Sequence, residues 1–375
     1  MKIFHCGHCD QLVFFENTTC VNCGHTLAYL PDREDMGTLE PDGEERWRLL
    51  SPGTEGRAYR LCPNYSQQNV CNWAVPAADP NPYCLSCRVT RVIPDLSRPG
   101  VREGWAKLET AKRRLIYSLL CLDLPLASKS EDPERGLSFE FLADPDPNTP
   151  GAAPVLTGHD NGVITINVAE ADDAEREKRR NALKEEYRTL LGHFRHEIGH
   201  YYWDRLIQGT DRIEEFRRLF GDEREDYGKA LDRHHQQGPP SDWEESFVSA
   251  YASTHPWENW AETWAHYLHM TDTLETAVEC GLSLRPKRSD EPALKPNIAV
   301  VGKRPASFDQ MIERWFPLTY VLNNLNRGMG LQDAYPFVLS TPALDKLRFV
   351  HGTVGAAASG PSGRTERPGF FQSAI

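Results

Sequence analysis

The chain has 375 residues with 39% hydrophobic content and 9 Trp, enough to bury a sizeable core and to divide into two or three domains. Its net charge of −12 disfavours nucleic acid as a partner, since a phosphate-binding surface needs clustered Lys and Arg. No window approaches the roughly 18 apolar residues of a membrane span, and Met1–Cys6 meets a cysteine before any signal-peptide apolar region could form, so a cytoplasmic protein with no membrane partner is expected.

Eight of the 10 Cys precede residue 90, and six of those eight form C-x-x-C pairs, a pattern that points to metal rather than disulfides. Cys6-Gly7-His8-Cys9 and Cys20-Val21-Asn22-Cys23 are two knuckles ten residues apart, with Leu12, Val13, Phe14 and Phe15 as a short hairpin strand between them. These four thiols predict a structural zinc; redox C-x-x-C motifs would want a βαβ context that the segment lacks. Cys62, Cys71, Cys84 and Cys87 form a second, looser set, with eight residues between the first two. Its competing reading makes Cys62 and Cys71 buried thiols. Four protein ligands leave no open position, so both zincs are expected to hold a segment too small and polar to fold unaided.

Pro31 to Gly56, rich in Asp, Glu, Pro and Gly, reads as an irregular connection. Val101 to Leu122 then carries Trp105, Leu108, Leu115, Leu119 and Leu122 at helical spacing, a helix joining the ribbon region to the second domain. Leu137 to Leu142 and Gly162 to Val168 alternate like strands. A long helix is expected from near Asp172-Asp173 through Leu183, Tyr187, Leu190 and Phe194 to near Gly209, its N-terminus acidic as the helix dipole favours. Further helices are expected at Ile213–Phe220, Glu223–His235, Trp243–Ser249, Pro256–Cys280, Phe308–Leu325 and Ala343–His351.

The long helix carries His196-Glu197-Ile198-Gly199-His200, an H-E-x-x-H sequence. At 3.6 residues per turn, two imidazoles fall on one face with a carboxylate beside them, the set a helix needs to bind zinc and activate water. Catalytic zinc takes three protein ligands and keeps a fourth position open. A metzincin would place Gly and His three and six residues after His200, where Trp203 and Leu206 stand, and is excluded. A gluzincin asks for a later Glu followed four residues on by an acid, and Glu258-Asn259-Trp260-Ala261-Glu262 supplies it with 57 residues intervening after His200. The small Ala261 and Ala265 would let the two helices approach closely. Glu258 is assigned as third ligand and Glu262 as the acid that orients His196, with the reverse assignment open. Nearby His193, His255, His266 and His269 read as polar packing.

On these residues the chain resembles the gluzincin metallopeptidases, among them the thermolysin and anthrax lethal factor groups. Over most of residues 1–350 it looks like the bacterial zinc-binding metallopeptidases that carry an N-terminal zinc ribbon. The resemblance is carried by the Cys6, Cys9, Cys20 and Cys23 knuckles, Asn72-Trp73 after Cys71, Arg195–Asp204 and Trp257–Glu262. It implies hydrolysis of peptide bonds by a zinc-activated water with Glu197 as general base. Tyr251, seven residues before Glu258, stands where the lethal-factor-like group has a Tyr facing the active site. That implies an oxyanion stabiliser, with a core tyrosine as the alternative. By the same analogy Gly162 to Val168 is the edge strand to which a peptide adds as another strand.

The expected fold class is α+β. A zinc-ribbon region with two four-cysteine sites spans 1–98, a mainly helical zincin-like metallopeptidase domain with a small β-sheet spans 99–352, and a disordered tail spans 353–375. The expected cofactor is zinc, one catalytic and two structural; the expected partners are a peptide or protein substrate and a protein bound through the ribbon. The alternatives are a non-catalytic zinc-ribbon adaptor binding a protein or nucleic-acid partner, which the intact Glu197 speaks against, and a zinc hydrolase of non-peptide amides.

Overall fold

The computed structural model describes residues 1–50, 57–146, 153–176, 189–288, 290, 293 and 306–359. Strands β1 (Phe4–His5) and β2 (Leu12–Val13) pair antiparallel and pin the turn that holds Cys6 and Cys9. The second knuckle closes through Cys20 N–H to the His25 carbonyl and Gly24 N–H to the Cys20 carbonyl, both 2.9 Å, with Gly24 at φ +77°. That left-handed backbone favours glycine.

Five strands follow as an antiparallel meander: β3 (Thr26–Leu30), β4 (Asp35–Pro41), β5 (Trp47–Leu49), β6 (Ala58–Leu61) and β7 (Ala74–Pro76). β4 and β5 correct the reading of Pro31 to Gly56 as an irregular connection, of which 51–56 lie outside the described residues. The strand residues there are polar or small for a local reason. Gly37 clears space for Leu30, whose Cδ1 would stand 2.6 Å from a Cβ at that position. Thr38 points at the first knuckle: its hydroxyl accepts from the Gly7 amide at 2.7 Å and donates to Cys6 Sγ at 3.4 Å.

A second sheet contains β8 (Thr90–Val92), β9 (Ser138–Leu142), β10 (Gly158–Asp160) and β11 (Val163–Asn167) in the order β10-β11-β9-β8. β8 and β11 run parallel to β9, and β10 antiparallel to β11. The expected edge strand is therefore interior; β10 is the edge beside it. Because β8 lies before residue 98, the ribbon region supplies a strand to this sheet. Helix α1 (Val101–Cys121) joins the two parts through a continuous core, its Tyr117 ring 5.5 Å from Phe15 and 5.8 Å from Tyr29. On its sheet side the fully buried pair Lys112–Glu109, 2.9 Å, meets Thr90 of β8.

Helix α2 (Leu190–Leu206) carries the H-E-x-x-H sequence. Thr189 is extended (φ −90°, ψ 159°) and its hydroxyl accepts from Gly192 N–H at 2.9 Å, so this helix starts at a true N-cap. The expected single helix from Asp172 is therefore interrupted at Thr189, while its expected end near Gly209 lies close to the observed one; Leu183 and Tyr187 lie outside the described residues. After α2 come α3 (Ile213–Phe220), α4 (Tyr227–Gln237), α5 (Pro256–Glu279), α6 (Phe308–Gly328) and α7 (Thr341–Ser359). The helix expected at Trp243–Ser249 is a single turn, Trp243–Glu245. Residues 353–359, expected within a disordered tail, continue α7, while 360–375 lie outside the described residues.

The central α5 packs against α2, α3, α6 and α7. Its crossing with α2 is close because Gly199 faces it: a Cβ there would stand 3.0 Å from Ala261 Cα and 3.2 Å from Trp264 Cβ. Trp260 Nε1 donates to the Gly199 carbonyl at 2.8 Å and holds the crossing. Among the described residues no helix is long and apolar enough to cross a membrane.

Candidate metal centre

The close crossing of α2 and α5 brings His196, His200 and Glu258 together, with one ligand atom from each within 4.8 Å of the others. His196 Nε2 and His200 Nε2 are 3.2 Å apart, and Glu258 Oε2 lies 3.0 and 3.6 Å from them. A tetrahedral zinc with bonds of about 2.0–2.1 Å spaces its ligands by about 3.3 Å. The buried Glu258 Oε2 has no hydrogen-bond partner among the described residues. A buried carboxylate oxygen so placed asks for a cation, so the three residues fit a zinc ion.

The surroundings favour positive charge. His196 Nδ1 is 2.7 Å from Glu262 Oε1, and Glu262 Oε2 accepts from the Ser249 hydroxyl at 2.6 Å. Burial opposes protonation of His196, but the Glu258 and Glu262 carboxylates hold its pKa well above the ordinary value. Burial likewise opposes ionisation of Glu258, yet His200 and His196 hold its pKa well below the carboxylate range. Glu197 stands outside the converging trio; its Oε1 lies 3.2 Å from His193 Nε2. Tyr251, at the start of a short helical turn, has its ring 6.0 Å from His196.

Three residues at the site were not assigned to it from the sequence. Tyr227, at the start of α4, donates its hydroxyl to Glu258 Oε1 at 2.6 Å. His193 was read as packing but lies between Glu170 and Glu197. His159 on edge strand β10 stacks on His200 at 6.3 Å and accepts from Gly162 N–H at 2.9 Å. Burial, with a smaller contribution from His200, lowers its pKa to about 4, so it is neutral at pH 7. Tyr227 and His159 reach the site across distant stretches of chain. For His193 alone the i,i+4 spacing to Glu197 was visible.

In the ribbon, Cys6, Cys9, Cys20 and Cys23 converge, with Cys6–Cys23 and Cys9–Cys20 sulfurs 3.6 Å apart. Cys62, Cys71, Cys84 and Cys87 converge in the same way, with Cys71–Cys84 at 3.8 Å. These spacings are too long for disulfides and match a tetrahedral zinc with bonds of about 2.3 Å, which separates its sulfurs by about 3.8 Å. Backbone amides donate to two of these sulfurs, Trp73 N–H to Cys71 Sγ and Cys87 N–H to Cys84 Sγ, both 3.4 Å, while burial and the neighbouring thiols push the Cys84 thiol well above its usual pKa. At Cys6, burial is outweighed by the Thr38 hydroxyl and the His8 and Cys9 amides, which lower its pKa to about 6. Both sets therefore fit zinc.

The chain is 43% identical over 360 residues to a protein of Mycobacterium tuberculosis and to one of Mycobacterium bovis, each named only as uncharacterized; the match covers 96% of this chain and 96% of each relative. No solved structure matches it. Residues 3–98 match the model of a zinc-ribbon domain. Residues 101–353, two thirds of the chain and the part that holds His196, His200 and Glu258, match the family described as "Putative zinc-binding metallo-peptidase", and the chain belongs to that family.

Proposed function

We propose that the protein is a zinc-dependent peptidase of gluzincin type, with His196, His200 and Glu258 holding the catalytic ion and Glu262 orienting His196. The observation that carries this is the convergence of two imidazole nitrogens and one carboxylate oxygen at tetrahedral spacing, with Glu197 beside the trio. Three ligands leave one position for a substrate or water. Zinc bound there supplies Lewis-acid chemistry, polarising a carbonyl and making water a better nucleophile at neutral pH.

The chain's own residues do the rest. Glu197 takes the proton released as water attacks the peptide carbonyl and passes it to the leaving amine. His193 and the histidines of the site keep its pKa below the usual carboxylate value despite burial, so the base is ionised at pH 7. Tyr251, its ring 6.0 Å from His196, donates to the oxyanion in this reading. The two four-cysteine sites act as structural zincs that hold the ribbon.

The adaptor reading draws on the exposed Phe14 and Val21 of the ribbon, which offer a surface for a protein partner. It gives no reason for a buried carboxylate at Glu197, 5% exposed, beside a metal site. The test is hydrolysis of a mixed peptide pool. Cleavage that a chelator abolishes and added zinc restores supports the peptidase; no cleavage by fully zinc-loaded protein contradicts it.

A further inference from the structure

Glu197 is held from behind by a chain of buried and half-buried polar groups that crosses from the sheet to the motif helix. Glu170, in the helical turn Val168–Ala171 that follows β11, places Oε2 2.5 Å from His193 Nδ1. His193 Nε2 lies 3.2 Å from Glu197 Oε1, one turn further along α2. The other oxygen of Glu170 accepts from the Thr157 hydroxyl at 2.6 Å. Side-chain exposure is 3% for Glu170 and 6% for Glu197, so both carboxylates are removed from water and their geometry is set by protein partners. The turn bearing Glu170 is itself fixed, because the Asn167 side chain accepts from Ala169 N–H at 2.9 Å.

We propose that Glu170 and His193 form a carboxylate–imidazole clamp that positions Glu197, so that one oxygen of the base is occupied by His193 and the other is left to take the proton. The proposal rests on the peptidase reading of the site. A glutamate side chain has three rotatable bonds, and a general base works only within hydrogen-bond reach of the proton it takes. Anchoring one oxygen removes that freedom. Glu170 does for His193 what a buried carboxylate does for the imidazole of a hydrolytic triad: it selects the ring orientation that presents the other nitrogen. His193 and Glu170 are thus positioning residues, and Glu197 is the group that meets substrate.

Full-length zinc-loaded protein is compared with Glu170→Gln, His193→Leu and His193→Gln, measuring zinc content, kcat and KM on a cleaved peptide. Glu170→Gln and His193→Leu are expected to lower kcat by about 10- to 100-fold, with KM and zinc content unchanged, and His193→Gln, which keeps an N–H donor, to recover part of the loss. Combining Glu170→Gln with Glu197→Gln is expected to cost nothing beyond Glu197→Gln alone. A further loss in that double variant, or a loss of bound zinc in Glu170→Gln, would overturn the clamp. Wild-type protein that cuts no peptide sinks the peptidase reading but leaves a separate readout. Crystal structures of Glu170→Gln and His193→Leu then show Glu197 displaced or in several rotamers if the clamp exists, and in the wild-type rotamer if it does not.

Discussion

The Tyr227 hydroxyl stands 2.6 Å from Glu258 Oε1, the oxygen turned away from His196 and His200, while Oε2 faces them. Glu258 is thus held at one oxygen and free to ligate with the other. Tyr227→Phe removes that hold. The expected outcome is a zinc affinity weaker by about 10- to 100-fold at this one site, as when other ligand-orienting groups are removed. Chelator competition checks it; equal affinity would show that Glu258 needs no such support.

Glu262→Gln tests the other side of the site. His196 Nδ1 loses a charged partner at 2.7 Å, and Ser249 keeps an acceptor. Zinc affinity is expected to fall by about tenfold, and less than in Glu258→Gln, where a ligand is lost. The reverse order of the two variants would exchange the roles of the two glutamates.

The helix crossing makes a stability prediction. Gly199 faces Ala261 Cα and Trp264 Cβ, atoms that cannot move aside without shifting α5. Gly199→Val is expected to cost about 1–3 kcal/mol by overpacking and to weaken zinc binding at the same time, because His196 and Glu258 sit on the two helices being pushed apart. Denaturant midpoints with and without zinc report both effects. A variant as stable as wild type would mean the crossing is loose.

Much of this site was legible because its spacing is local. His196 and His200 share a helical face, as do Glu258 and Glu262, and the small residues that allow contact lie within the same two segments. Tyr227, Glu170 and His159 were not legible, since each lies on a separate element that meets the site only through tertiary packing. The strands β4 and β5 escaped for another reason. Gly37 and Thr38 suit a strand only because Leu30 and the Cys6 knuckle lie against them, and composition alone reads them as loop.

A pH effect is expected at Lys346. Lys346 on α7 is buried, donating to the Ser246 carbonyl at 2.7 Å and lying over the Phe247 ring, and desolvation lowers its pKa from 10.5 to about 8. The folded state therefore binds fewer protons than the unfolded chain between pH 8 and 10.5, and this residue's contribution to stability rises across that window. Below pH 8 its burial is a constant cost. Lys346→Met is expected to flatten the wild-type rise when unfolding free energy is measured from pH 7 to 10.5. An unchanged pH slope would place the lysine in water.

The most direct test of the catalytic assignment is Glu197→Gln, measured for bound zinc and for peptide hydrolysis on the same preparation. Three zincs per chain are expected in both the wild type and the variant, with hydrolysis by the variant about 100- to 10,000-fold slower. Two zincs in the wild type, or equal hydrolysis by both proteins, would contradict the assignment.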